Sequence, residues 1–284
     1  MSKILACTDG SVYAVSVYDH AAWAAERLGA SVDVLHVLDH HRETASVSDL
    51  SGSIGIDASA ELMGRIAEVE AARGKVQIEK AKVILNDARK RLAEGGVDEV
   101  NVIQRHGSLV STVEEFEDGA DLLIIGKRGE AADFDKGHLG SNLERVIRMS
   151  KIPVLVASRA FKPVDKFLIA FDGGASARKA VDHVAKSSLL KGLECHVLMV
   201  GRSDSSADQK FASAREVLLG AGFEVQGEIL DGDVEEVIAD YVIKQEIGLL
   251  VMGAYGHSKI RQMIVGSTTT EMVRTCHVQV LMFR

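Results

Sequence analysis

The chain has 284 residues, 46% of them hydrophobic and 26% charged, and a net charge of −8. That length suits two domains with cores of their own, and the acidic balance argues against a nucleic-acid binder driven by phosphate neutralisation. Three cysteines, Cys7, Cys195 and Cys276, lie far apart with no CxxC, which points to a reducing compartment rather than a disulfide framework. The opening MSKILACTDG has too short an apolar run for a signal peptide. No stretch approaches the ~20 apolar residues of a membrane span, so a cytoplasmic location with no membrane partner is expected.

In chain order, the strand KILAC ends at Asp9-Gly10, and helical spacing follows over residues 14–28. The strand VDVLHVL comes next, then a segment rich in Ala, Glu, Lys and Arg over residues 56–94. Leu62, Ile66 and Val69, then Leu85, Ala88 and Leu92, recur there at helical spacing, predicting one long amphipathic helix or two. The strand VNVIQ precedes a short helix with Ser108 at its N-cap, and LLIIG leads into a glycine loop. A helix after Gly140-Ser141 and the strand PVLVA complete the first half. Pro163 marks the linker, and the order then starts again: KFLIA to Asp172-Gly173, a helix over 175–190, CHVLMV, a helix capped by Asp233, LLVM and a second glycine loop.

The two halves are copies. SKILACTDGS matches DKFLIAFDGG, LLIIGKRG matches LLVMGAYG, and LGSNLERVIR matches VGSTTTEMVR. The offset falls from 163 to 126 residues along the chain, so the first copy carries roughly 37 extra residues, mostly between Asp39 and Val97. Expected domains are residues 1–160, with the helical insert at 56–94, and residues 161–284. Short β-branched runs alternating with helices, almost without hairpin turns, predict an α/β fold with an open, parallel, doubly wound sheet in each copy.

Ligands of such sheets bind beyond the carboxyl ends of the strands. After LLVM the spacing is G-x2-G-x9-G-[ST], with Gly253, Gly256, Gly266 and Ser267. The glycines let the backbone turn and a ligand approach, and a helix starting at Ser267-Thr268 offers free N–H groups and its dipole to an anion. His257, Lys259 and Arg261 lie between, with no acid, which suits a polyphosphate. The spacing is neither a Walker loop nor GxGxxG.

Together with the Asp-Gly strand end and the strand ending in HV or MV, this loop resembles that of a tandem universal stress protein, with two such domains on one chain. The resemblance covers nearly the whole chain except the 56–94 insert. It implies two Rossmann-like sheets of five parallel strands, of the adenine nucleotide alpha hydrolase-like type, and ATP, ADP or AMP as ligand. By position, Ala170, Phe171 and Asp172 would line the adenosine pocket, Val200 would meet adenine through its backbone, and Gly253, Gly256, Gly266, Ser267 and Thr268 would hold ribose and phosphates. Their counterparts are Cys7, Thr8, Asp9, Val37, Gly126, Gly129, Gly140 and Ser141. Magnesium could enter with ATP through Ser267 and water. The family also implies that the last strands, PVLVAS and QVLMFR, pair edge to edge and make the halves an internal pseudo-dimer, leaving a further homodimer open.

The first copy departs from the pattern. Its loop has ten residues between Gly129 and Gly140 and carries Glu130, Asp133 and Asp135 against Lys127, Arg128 and Lys136, and Asn142-Leu143 replace two threonines. Like charge near a triphosphate is costly, so the second copy is the expected nucleotide site. The expected role is a stress-response binding module with no catalytic residues and no metal site of its own. The alternatives are a slow ATPase or nucleotidyl-transferring enzyme, for which Asp172 is the one candidate carboxylate, and an interaction protein with empty pockets. Asp9 and Asp172 could also merely shape turns. Asp39-His40-His41 reads as a solvated loop rather than a metal site, and His36, His196, Trp23 and the cysteines as packing residues, while His106 and Asp231 at matched strand ends are weak ligand candidates.

Overall fold

The computed structural model describes residues 2–38, 56–127, 141–254 and 267–284. Half one runs β1 (Ser2–Cys7), α1 (Ala14–Leu28), β2 (Ala30–Leu38), α2 (Ile56–Glu94), β3 (Val100–His106), α3 (Leu109–Phe116), β4 (Leu122–Gly126), α4 (Ser141–Met149) and β5 (Val154–Ala157). Half two runs β6 (Lys166–Ala170), α5 (Ala175–Lys186), β7 (Glu194–Val200), α6 (Ser205–Gly220), β8 (Val225–Leu230), α7 (Val234–Lys244), β9 (Leu249–Gly253), α8 (Ser267–Thr275) and β10 (Gln279–Phe283).

The strands form one ten-stranded sheet in the order β3-β2-β1-β4-β5-β10-β9-β6-β7-β8. Every pairing inside a half is parallel, and the halves meet at the antiparallel pair β5–β10, where Val154, Leu155 and Val156 face Met282, Leu281 and Val280. The expected edge-to-edge join is thus observed. It pairs two apolar strands whose backbone groups would otherwise be exposed edges.

Strand side chains alternate between faces, and here both faces are covered, which is why the strands read as unbroken apolar runs. Ile4, Val32, Ile124, Leu155, Phe167, Val197, Val251 and Leu281 build one core, against α1, α5 and the C-terminal part of α2. Leu5, Leu35, Ile125, Val156, Leu168, Leu198, Met252 and Val280 build the other, with Leu143 and Val146 of α4, Ile238 of α7 and Met272 of α8. Both cores cross the seam, so each half helps to cover the other.

Local signals explain most boundaries. Helix α1 stops at Gly29 in the left-handed conformation (φ 60), where glycine carries no steric cost. Asp204 and Asp233 cap α6 and α7, each accepting two backbone N–H bonds of the first turn. Ser108 stands at the N-cap of α3, but its side chain makes no capping bond. Helix α5 ends at Lys186, short of the expected Leu190, because Ser187 is extended (ψ 144). Leu189 and Leu190 instead bury themselves in the following turn.

The segment over 56–94 is one helix of 39 residues. Its last part, with buried Ala81, Leu85, Ala88 and Leu92, covers the β2–β3 end of the sheet, as α6 covers β7–β8. The preceding two-thirds continue beyond the domain: from Leu62 to Lys80 no residue is buried.

Candidate functional site

In each half the strand order reverses once. From β6 the chain passes outward through β7 and β8, then returns to β9 on the other side; β1 and β4 repeat this in half one. At such a reversal the loops part, opening a crevice beyond the strand ends.

In half two, Ala170 is half-buried at the level of Leu198 and Met252. The Phe171 ring is 4% exposed and belongs to the core, and its N–H donates to the Leu198 carbonyl at 2.9 Å. What this residue presents to the crevice is backbone. Asp172 is exposed, and its Oδ1 accepts the Gly174 N–H at 2.7 Å. This closes an Asx turn that leads into α5. Gly173 is left-handed (φ 71); Arg178 Nη1 donates to its carbonyl, and a Cβ built on it would lie 2.8 Å from Cδ of Lys210. Two cationic side chains therefore frame the Asp172 loop, one from α5 and one from α6. Val200 ends β7, half-buried.

The end of β9 passes directly beneath the start of α5: a Cβ on Gly253 would lie 2.8 Å from Ser176 Cβ and 3.1 Å from the Ala177 nitrogen. Only glycine fits there. Helix α8 begins at Ser267, with Thr268 half-buried and no acid in its first turn. Thr269 Oγ1 donates to the Gly253 carbonyl at 3.3 Å and ties the helix start to the strand end. The N-terminal N–H groups and the dipole, equivalent to about half a positive charge, thus belong to the same crevice. Gly256, Gly266, His257, Lys259 and Arg261 lie outside the described residues.

Half one has the same scaffold with different chemistry. Burial pushes the Cys7 thiol up to about 12, so it is no nucleophile at neutral pH. Thr8 is buried, with Oγ1 at 2.8 Å from the Tyr18 hydroxyl, and Asp9 Oδ1 accepts the Ser11 N–H at 2.9 Å. Val37 and Gly126 sit half-buried near their strand ends; Gly129 and Gly140 lie outside the described residues, and α4 begins at Ser141. Where half two has Arg178 and Lys210, half one has Val15 and Ile84, and it is Ile84 that lies against Gly10. Thr269 is replaced by buried Leu143, which enters the apolar core. Thr270 is replaced by Glu144, an acid in the first turn of α4. Lys127, which the sequence counts against the loop acids, extends Nζ to the Cys276 carbonyl at 2.6 Å, closing the C-terminal end of α8.

His196, His36, Trp23 and the cysteines resolve as packing. His196 is buried between the Tyr241 hydroxyl (3.0 Å) and Glu194 (2.9 Å), and His36 Nδ1 meets the Thr8 carbonyl at 2.8 Å. Trp23 packs on Phe161, and the three cysteines are buried. His106 and Asp231 are exposed at the ends of β3 and β8. Among the described residues no group of three His, Cys, Asp or Glu could hold a metal, and no helix is long and apolar enough to cross a membrane. The Asp39-His40-His41 run lies outside the described residues. Sequence reasoning missed Arg178, Lys210 and Glu144. The signal was available, because the offsets between copies align them with Val15, Ile84 and Thr270, but only the folded chain shows that they border the crevices.

Residues 1–158 and 163–284 each match the universal stress protein family. Universal stress protein Slr1230 of Synechocystis sp. is 42% identical over 287 residues, covering 100% of both chains. Universal stress protein MJ0577 of Methanocaldococcus jannaschii is 30% identical over 162 residues, 55% of this chain and 94% of its own. The crystal structure of a universal stress protein from Archaeoglobus fulgidus shares the fold, with a TM-score of 0.72 at 24% identity, over 99% of this chain and 98% of that one. With two successive family matches over one continuous sheet, the chain belongs to the universal stress protein family.

Proposed function

We propose that this chain is a binding protein for adenine nucleotides, ATP foremost, and that half two carries the principal site. The observation that carries the reading is the start of α8. It opens at the crevice beside Gly253 with no acid in its first turn, while Arg178 and Lys210 frame the facing loop. Free N–H groups, a helix dipole and nearby cations form an environment that holds phosphates.

In this reading Asp172 accepts from a ribose hydroxyl, the Val200 backbone meets the base, and the N–H groups at Ser267 and Thr268 take the phosphates. Binding to the native form alone stabilises it by mass action, so the nucleotide acts as a ligand that shifts populations. Backbone donors do this without a catalytic base. A cytoplasmic stress-response role fits the family and the acidic composition, and residues 1–160 and 161–284 would be the functional units.

Titration calorimetry of the full chain with ATP, ADP and AMP tests the proposal. One dominant site is expected, weakened at least about tenfold by Thr268→Glu with the circular dichroism spectrum unchanged. No heat with any of the three on a folded chain overturns it. So does a site indifferent to Thr268→Glu but removed by Asp9→Ala, which would move binding to half one.

A further inference from the structure

Helix α2 leaves the domain with an apolar line on its surface. Val69, Val76 and Val83 are 50%, 67% and 69% exposed, and Met63 is 63% exposed. Leu62, Val69, Val76 and Val83 follow one another at intervals of seven, the repeat that keeps one seam of a helix facing a partner helix. Val69, Ala72, Arg73, Val76 and Gln77 line a shallow groove along this face. The line stays accessible down to the domain, since Val83 is exposed between buried Ala81 and Leu85.

A solvated helix of this composition is poorly self-sustaining. Gly64 and Gly74 lie within it, each costing about 1 kcal/mol relative to alanine, and helices in proteins draw most of their stability from packing one face. Among the described residues nothing buries residues 62–80.

The charges identify the occupant. Asp57, Glu61, Glu68 and Glu70 against Arg65 make the N-terminal part of α2 acidic; Arg73, Lys75, Lys80 and Lys82 against Glu79 make the following part basic. A second copy of the same helix laid antiparallel sets acidic part against basic part twice over, whereas a parallel copy sets like against like. The antiparallel register that places Val69 beside Val76 of the second copy also places Leu62 beside Val83 and sets Glu70 on the same flank as Arg73 of the second copy. Such a contact is self-complementary and closes as a twofold dimer. It leaves the two sheets at opposite ends of the pair, about 30 Å apart along the helix axis.

We infer that α2 is a homodimerisation arm that pairs antiparallel with α2 of a second copy of this chain. Sedimentation velocity across a dilution series, at low and high salt, tests it on the full chain. The wild type sediments as a dimer, less tightly at high salt, and Val69→Asp/Val76→Asp sediments as a monomer with unchanged sheet signal by circular dichroism. Glu70→Lys weakens the dimer, and Glu70→Lys/Arg73→Glu restores it. For orientation, Val69→Cys/Val76→Cys forms an intermolecular disulfide under mild oxidation, while Val69→Cys alone does not, because the seven-residue stagger holds its two copies about 10 Å apart; the native cysteines are buried and do not compete. A monomeric wild type overturns the inference, as does a dimer that survives Val69→Asp/Val76→Asp or crosslinks through Val69→Cys alone.

Discussion

The two halves share strand order, helix placement and core, yet differ where the crevices open. At matched positions half two has Arg178, Lys210, Thr269 and Thr270, and half one has Val15, Ile84, Leu143 and Glu144. The fold requires only that both sheet faces be apolar and that glycine end the strand beneath α5. Ligand chemistry is free to vary around that requirement. Lys127 adds to the contrast: a cation that could have served the crevice of half one bonds instead to the end of α8 in the other half.

The largest expected effect tests whether the halves are separable at all. Leu281→Ala, in a fully buried seam residue paired with Leu155, should cost about 2–5 kcal/mol and lower the urea midpoint of both halves together. Two transitions, only one of them shifted, would show that the halves fold independently. Next, exchanging the first-turn residues should redistribute affinity. Thr270→Glu should weaken ATP binding about tenfold by placing a carboxylate near the phosphates, and Glu144→Thr should strengthen whatever half one binds; calorimetry reads both. Lys210→Ile copies half one into half two at a single position. Its expected loss is about threefold to tenfold, with a shallower dependence on salt, because the lost contact is a partly solvated charge.

The smallest effect concerns two histidines that occupy the same place in the two copies, His20 and His183. Burial lowers the pKa of each below the ordinary imidazole value. The unfolded chain then binds protons that the folded chain resists. Stability is therefore fully present above about pH 6.5 and declines as the pH falls below it. Urea titrations at several pH values should show this slope, reduced in His20→Leu; an identical slope in that variant would assign the effect elsewhere.

Much of this was legible in the chain. The bounds of α2 and the pairing of the last strands follow from periodicity, duplication and family resemblance. The side-chain detail was less so. Phe171 and Asp172 are neighbours at a strand end, but alternation sends one into the core and leaves the other exposed. Ser108 has the composition of a cap without the bond, because a hydroxyl's rotamer is not written in its position. Lys127 could not be assigned to the other half from sequence, since its acceptor is a carbonyl 149 residues away.

The antiparallel seam has a further consequence. Strands on its two sides run in opposite directions, so their carboxyl ends lie on opposite rims of the sheet. No single small molecule can touch both crevices. Each must fill or stay empty on its own account, and anything that links their occupancy has to travel through the strands that separate them.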